Sequence, residues 1–155
     1  MSDTLRPPLD SLSLLLDRVA ASLNKEIGAA IEPWEIRELH LAVLSTITEL
    51  GPLPQARIAA YLGIEPQSMA NLVDDLEKMR LVTRERVPED RRVWAVTPTA
   101  NGRYTQKKAS READRRMREM MEGVSDEDQE LLVRILMQLS GRGRYPKLFE
   151  APGPE

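Results

Sequence analysis

Apolar residues recur along this chain at intervals of three and four in successive stretches, most of them bounded by glycine or proline. That period marks helices with one buried stripe. The first stretch runs from Leu9 to Ile31, with Leu12, Leu15, Leu16, Val19, Leu23 and Ile27 on one face and Leu5, Leu9 and Leu14 broadening its start. Glu32-Pro33 breaks it and opens a second helix from Trp34 to Leu50, striped by Ile36, Leu39, Val43, Ile47 and Leu50 and stopped by Gly51. A short third helix covers Gln55 to Leu62. Gly63 turns the chain, since glycine takes a left-handed conformation without a Cβ penalty. Pro66, with its fixed φ, opens a fourth helix that reaches Met79. Met69, Leu72, Val73, Leu76 and Met79 form its stripe and leave Gln67, Ser68, Asn71 and Asp75 facing outward.

The period then changes. Leu81 to Val87 and Val93 to Thr97 are β-rich runs on either side of Pro88-Glu89-Asp90-Arg91-Arg92, which predicts a hairpin with arginines at its tip. Pro98 ends the second strand and Thr99 caps a charged fifth helix from Ala100 to Glu122. Ser125 with Asp128 opens a last helix striped by Leu131, Leu132, Ile135, Leu136 and Leu139, with Gly141 as its stop. The fold expected is mainly α with a small two-stranded β wing, a winged helix-turn-helix inside a helical dimer. In a helix-turn-helix the second helix enters the major groove and offers its N-terminal side chains to base edges.

The domain plan follows. Residues 1–8 form a disordered N-terminus, 9–31 a dimerisation helix, 34–99 the winged helix-turn-helix, 100–140 connector and dimerisation helices, and 141–155 a tail. The stripe of the first helix needs a surface to cover it, and the last helix is its expected partner across a homodimer. Leu12, Leu16 and Val19 would then meet Leu132, Ile135, Leu136 and Leu139. Packing within one subunit is the alternative.

Composition narrows the function. The 155 residues are 41% hydrophobic and carry a net charge of −3, as suits one domain. The acidic balance argues mildly against nucleic acid, but DNA responds to the local field, and the wing arginines are clustered. Cysteine is absent, which excludes disulfides, thiolate zinc sites and cysteine-based oxidant sensing. His40, the only histidine, makes no metal site and has no spaced Ser/Asp partners for a triad, and no glycine-rich phosphate loop occurs. No enzyme, cofactor or metal is expected. No run has the apolar length of a membrane span and the N-terminus lacks a signal pattern, so the expected location is the cytoplasm.

Gly51-Pro52-Leu53, Ile58-Ala59 with Leu62-Gly63-Ile64, Leu72-Val73-Asp74 with Leu76-Glu77, Leu81-Val82, Asp90-Arg91-Arg92 and Thr99-Ala100-Asn101-Gly102 stand in a characteristic order and spacing. It resembles that of the MarR family of bacterial transcriptional regulators, over residues 10 to 140. The resemblance implies an obligate homodimer on a pseudo-palindromic double-stranded DNA operator. Such proteins are usually repressors, and a small phenolic or other lipophilic effector often releases them. It implies that Gln67, Ser68 and Asn71 meet the major groove, and that Arg92 enters the minor groove, oriented by Asp90. Arg84, Arg86 and Arg91 join them as candidate DNA contacts. A guanidinium suits the negative potential of a narrow minor groove, and a nearby carboxylate can hold its planar fork.

Four positions depart from the family pattern: Pro54 replaces Thr or Ser, Ala70-Asn71 replaces Ser or Thr followed by Arg, and Asp75 replaces Arg. Glu65, Asp74, Asp75 and Glu77 outnumber Lys78 and Arg80 around the fourth helix. Affinity is therefore expected largely from the wing, the two-fold repetition and the helix N-terminus.

By the same resemblance Trp34 and His40 lie beside the usual effector pocket, where they would offer a flat face and a polar handle to a small aromatic or lipophilic ligand. The other reading makes Trp34 a packing residue and His40 a satisfied histidine. The fifth helix has two readings as well: a solvated face with intrahelical pairs or a long-range attraction for DNA, with Met117, Met120 and Met121 as core filling or as an adaptable pocket. Tyr145, Leu148 and Phe149 in the tail either dock on the partner subunit or fray. The alternative function is a winged-helix protein whose acidic second helix serves protein contact or ligand sequestration without specific operator binding.

Overall fold

The computed structural model describes residues 11–141. Its helices are α1 (Leu12–Ile31), α2 (Glu38–Glu49), α3 (Gln55–Leu62), α4 (Pro66–Lys78), α5 (Ala100–Met120) and α6 (Asp126–Gly141). Its strands are β1 (Leu53–Pro54), β2 (Val82–Val87) and β3 (Asp90–Pro98). The expectations for residues 1–8, for Leu5 and Leu9, and for the tail with Tyr145, Leu148 and Phe149 lie outside the described residues.

The order of elements is the one expected, with one addition. Leu53 and Pro54 pair antiparallel with Val96 and Ala95, so the sheet has three strands in the order β1-β3-β2 where two were expected. Proline is tolerated there because β1 is an edge strand. The hairpin tip is also tighter than expected. Val87 pairs with Asp90 across Pro88-Glu89, which places Asp90, Arg91 and Arg92 at the start of β3 and not in the turn.

α2 lies at the centre and packs on α1, α3, α4, α5 and β3. Its start differs from the expectation. Glu32–Trp34 is a single 3-10 turn, closed by Glu35 in the left-handed region (φ 56°) with its N–H on the Glu32 carbonyl at 2.9 Å. The chain then extends through Arg37 and re-enters helix at Glu38. The buried stripe shifts accordingly. Leu39 and Leu50 are about half exposed, and His40, Leu41 and Leu44 join Val43 and Ile47 inside, because helices cover α2 on more than one side.

Gly63 ends α3 in the left-handed region (φ 63°) and Pro66 stands in the first turn of α4, as the sequence requires. Met69, Leu72, Val73 and Leu76 are buried against α2, α3 and the sheet, while Met79 is partly buried. Thr99 caps α5, its Oγ1 accepting the Gly102 N–H at 2.9 Å. Its own N–H donates to the Leu81 carbonyl at 3.0 Å, which fastens α5 to the base of the wing. Ser125 caps α6 through its Oγ, which accepts the Asp128 N–H at 3.1 Å.

Candidate nucleic-acid interface

α4 turns Gln67, Ser68 and Asn71 outward in its N-terminal half, all exposed, with Gln67 Nε2 donating to Asn71 Oδ1 at 3.4 Å. These are neutral amide and hydroxyl groups able to donate and accept, near the positive end of a helix dipole. That half of the helix suits a base edge or a phosphate.

The acidic residues of α4 are occupied elsewhere. Arg84, on β2, reaches back to α4 with Nη2 2.5 Å from Asp74 Oδ1 and Nη1 bonded to Glu77 Oε2, and Nη2 also donates to Gln55 Oε1 at 3.3 Å. Burial works against the charged guanidinium, but the bonds and charges of Asp74 and Glu77 outweigh it and hold its pKa above the usual arginine range. Asp75 does not share the outward face assigned to it from periodicity. It turns toward the start of α2, 3.4 Å from Arg37 Nη2, and lies 3.9 Å from Lys78 Nζ. The helix that reads as acidic in sequence is therefore neutralised by partners drawn from β2 and the start of α2.

The wing carries Arg86, Arg91 and Arg92 exposed. Asp90 Oδ1 accepts the backbone N–H of Arg92 at 3.0 Å. The carboxylate thus engages the peptide of Arg92 where sequence reasoning had it hold the guanidinium. Arg86 lies over Trp94, its Cζ 4.0 Å from the ring centroid, and its Nη1 donates to the Arg91 carbonyl at 2.7 Å. Trp94 was missed in sequence as a member of this group. An aromatic on a strand among arginines was the available signal.

His40 and Trp34 are in different surroundings. Trp34 is partly buried against the core. His40 is buried, with Nδ1 accepting the Arg37 N–H at 3.2 Å as the third-residue partner of an α2 cap. That bond puts the proton on Nε2, which faces Asp75 Oδ2 at 3.7 Å. Burial first, then the Arg37 charge, lowers the His40 pKa, and Asp75 opposes them. A groove of about 480 Å³ beside them is lined by Gly28, Glu32, Glu35, Ile36, Arg37 and Glu38 among others, not by Trp34 or His40.

The seven residues expected at a dimer interface are Leu12, Leu16 and Val19 on α1 and Leu132, Ile135, Leu136 and Leu139 on α6. All are between 39% and 55% exposed in the single subunit. α1 packs on α5, where Arg116 bonds Glu26, while no α6 residue is classed as buried among those described. Two apolar stripes, one on α1 and one on α6, therefore stand uncovered in the single subunit. Toward the end of α5 the charges are paired, Arg115 with Glu112 and Glu119, and Arg116 with Glu119.

Residues 36–93, from the start of α2 into the wing, match the MarR family. YdgJ of Bacillus subtilis (strain 168), an uncharacterized HTH-type transcriptional regulator, is 29% identical over 118 residues, covering 76% of this chain and 72% of that protein. The fold is similar to that of CouR from Rhodococcus jostii RHA1 bound to p-coumaroyl-CoA. Its TM-score is 0.79 and its identity 27%, over 91% of this chain and 96% of that one. It also resembles the transcriptional repressor CouR bound to a 23-mer DNA duplex, with a TM-score of 0.76 and 24% identity over 87% of this chain and 99% of that one.

Proposed function

We propose that the chain is a DNA-binding transcriptional regulator of the MarR family and, within it, a homodimeric repressor of its own neighbourhood of genes. It sits on a pseudo-palindromic operator in the cytoplasm and leaves when a small aromatic or lipophilic effector binds. The single observation that carries this reading is the division of charge around α4. Arg84, Arg37 and Lys78 take up its carboxylates, while Gln67, Ser68 and Asn71 on the helix, and Arg91 and Arg92 on the wing, stay exposed.

In a dimer closed by the α1 and α6 stripes, two such surfaces would enter major grooves about one helical turn apart, with Arg92 in the flanking minor grooves. Covering a leucine or isoleucine that is about half exposed contributes roughly 1 kcal/mol, and the two stripes are the apolar surface that would offset the entropy lost on association. The effector class follows the p-coumaroyl-CoA bound by CouR, a relative at 27% identity. Trp34 and His40 remain its proposed neighbours.

Selection of genomic fragments by the purified protein tests the reading. One enriched pseudo-palindrome with half-sites about 10 base pairs apart is expected. Recovery of fragments without a shared sequence would favour a protein without operator specificity. For the effector, Trp fluorescence and thermal stability should respond to aromatic acids or their thioesters. A flat response across such a panel removes the pocket at Trp34 and His40.

A further inference from the structure

The wing register skips a step. Arg86 pairs with Trp94 and the next residue, Val87, pairs with Asp90, so Arg91, Arg92 and Val93 of β3 lie between two adjacent pairs. A bulge of this kind takes peptide groups out of the ladder and leaves their hydrogen bonds to be made by something else. For the peptide joining Arg91 to Arg92, side chains make both. Its carbonyl accepts from Arg86 Nη1 at 2.7 Å and its N–H donates to Asp90 Oδ1 at 3.0 Å.

Arg86 is able to do this because Trp94 holds it. The indole is its cross-strand partner and lies under the guanidinium at 4.0 Å. An arginine free in water samples many rotamers, and a ring face removes most of them. Trp94 itself is 48% exposed, so burial in the core does not account for a residue of this size on the wing.

We infer that Trp94 and Arg86 are positioning residues for Arg92. The ring fixes the guanidinium, the guanidinium and Asp90 fix the two ends of one peptide, and that peptide sets the direction in which the Arg92 side chain leaves the wing. This rests on the reading of the wing as a DNA contact, and it gives Arg86 a role distinct from direct contact with a groove.

The test is a double-mutant cycle on a duplex that the wild-type protein enriches from a randomised pool, read by anisotropy at low salt so that weak variants stay measurable. Trp94→Leu should weaken binding to that duplex about tenfold, and Trp94→Phe, which keeps a ring, within about threefold of wild type. In an Arg92→Ala background, Trp94→Leu should cost nothing further. A purely structural role would lower the melting temperature without this coupling. Wild-type affinity in Trp94→Leu, or the same loss with and without Arg92, overturns the inference. If Trp94→Leu does not fold, Arg86→Met in the same cycle decides by the same two outcomes. Failure of the wild-type protein to enrich any duplex would instead overturn the DNA-contact reading beneath it.

Discussion

Asp74 on α4 and Arg84 on β2 meet at 2.5 Å, and the same guanidinium bonds Glu77 one turn further along the helix. One arginine thereby ties the helix to the wing and cancels two carboxylates on it. Arg84→Ala should cost about 1 kcal/mol of stability by denaturant unfolding, since the partners are largely exposed. It should weaken DNA binding further than that, because two bare carboxylates then face the phosphates. Adding Asp74→Asn and Glu77→Gln to Arg84→Ala should recover DNA affinity while leaving the stability loss in place.

Gly102 is fixed by close approach and not by its dihedral angles. A Cβ there would lie 1.9 Å from the Leu81 carbonyl oxygen, the acceptor for Thr99. Gly102→Ala must push α5 away from the wing base and should destabilise by about 2–3 kcal/mol in urea unfolding. DNA affinity should fall as well, because α5 connects the wing to the α1 face.

The lowered pKa of His40 gives stability a direction with pH. The folded state binds fewer protons than the unfolded one between the ordinary histidine value, about 6.5, and the lower folded value. Unfolding free energy therefore falls as pH drops through that window, by at most about 1.4 kcal/mol per pH unit, and stops falling below it. His40→Gln can still accept the Arg37 N–H but cannot titrate. Comparing urea midpoints at about pH 7.5 and about pH 5.5 should show a larger loss in wild type than in the variant.

Leu132→Arg with Leu136→Arg places two charges on the exposed α6 stripe. Sedimentation should show a monomer whose far-ultraviolet dichroism keeps its helix content. Operator affinity should fall by about a hundredfold through loss of the second half-site. A variant that remains dimeric would place the interface elsewhere.

Most of the fold was legible because its signals are local. Gly63, Pro66, Thr99 and Ser125 mark helix ends through backbone chemistry that does not depend on the rest of the chain. What periodicity could not give was the effect of neighbours. The α2 stripe shifted because several elements cover that helix, and the short β1 strand exists only because β3 offers it an edge. In the candidate interface, Gln67, Ser68, Asn71 and Arg92 are outward as the sequence implied. Asp75 turned toward the start of α2 because Arg37 and His40 come from a segment 38 and 35 positions earlier, and no helical spacing encodes that meeting. The Arg86–Trp94 pair was hidden by the bulge, since a regular two-residue turn would have placed Arg91 opposite Arg86.

The most direct measurement is binding of the purified protein to the promoter fragment upstream of its own gene, wild type against Arg92→Ala, with excess random competitor at moderate salt. Competitor-resistant binding by wild type that drops by about tenfold or more in Arg92→Ala is the expected result. Equal affinity for promoter and competitor, unchanged by the substitution, would contradict self-regulation through a wing-read operator.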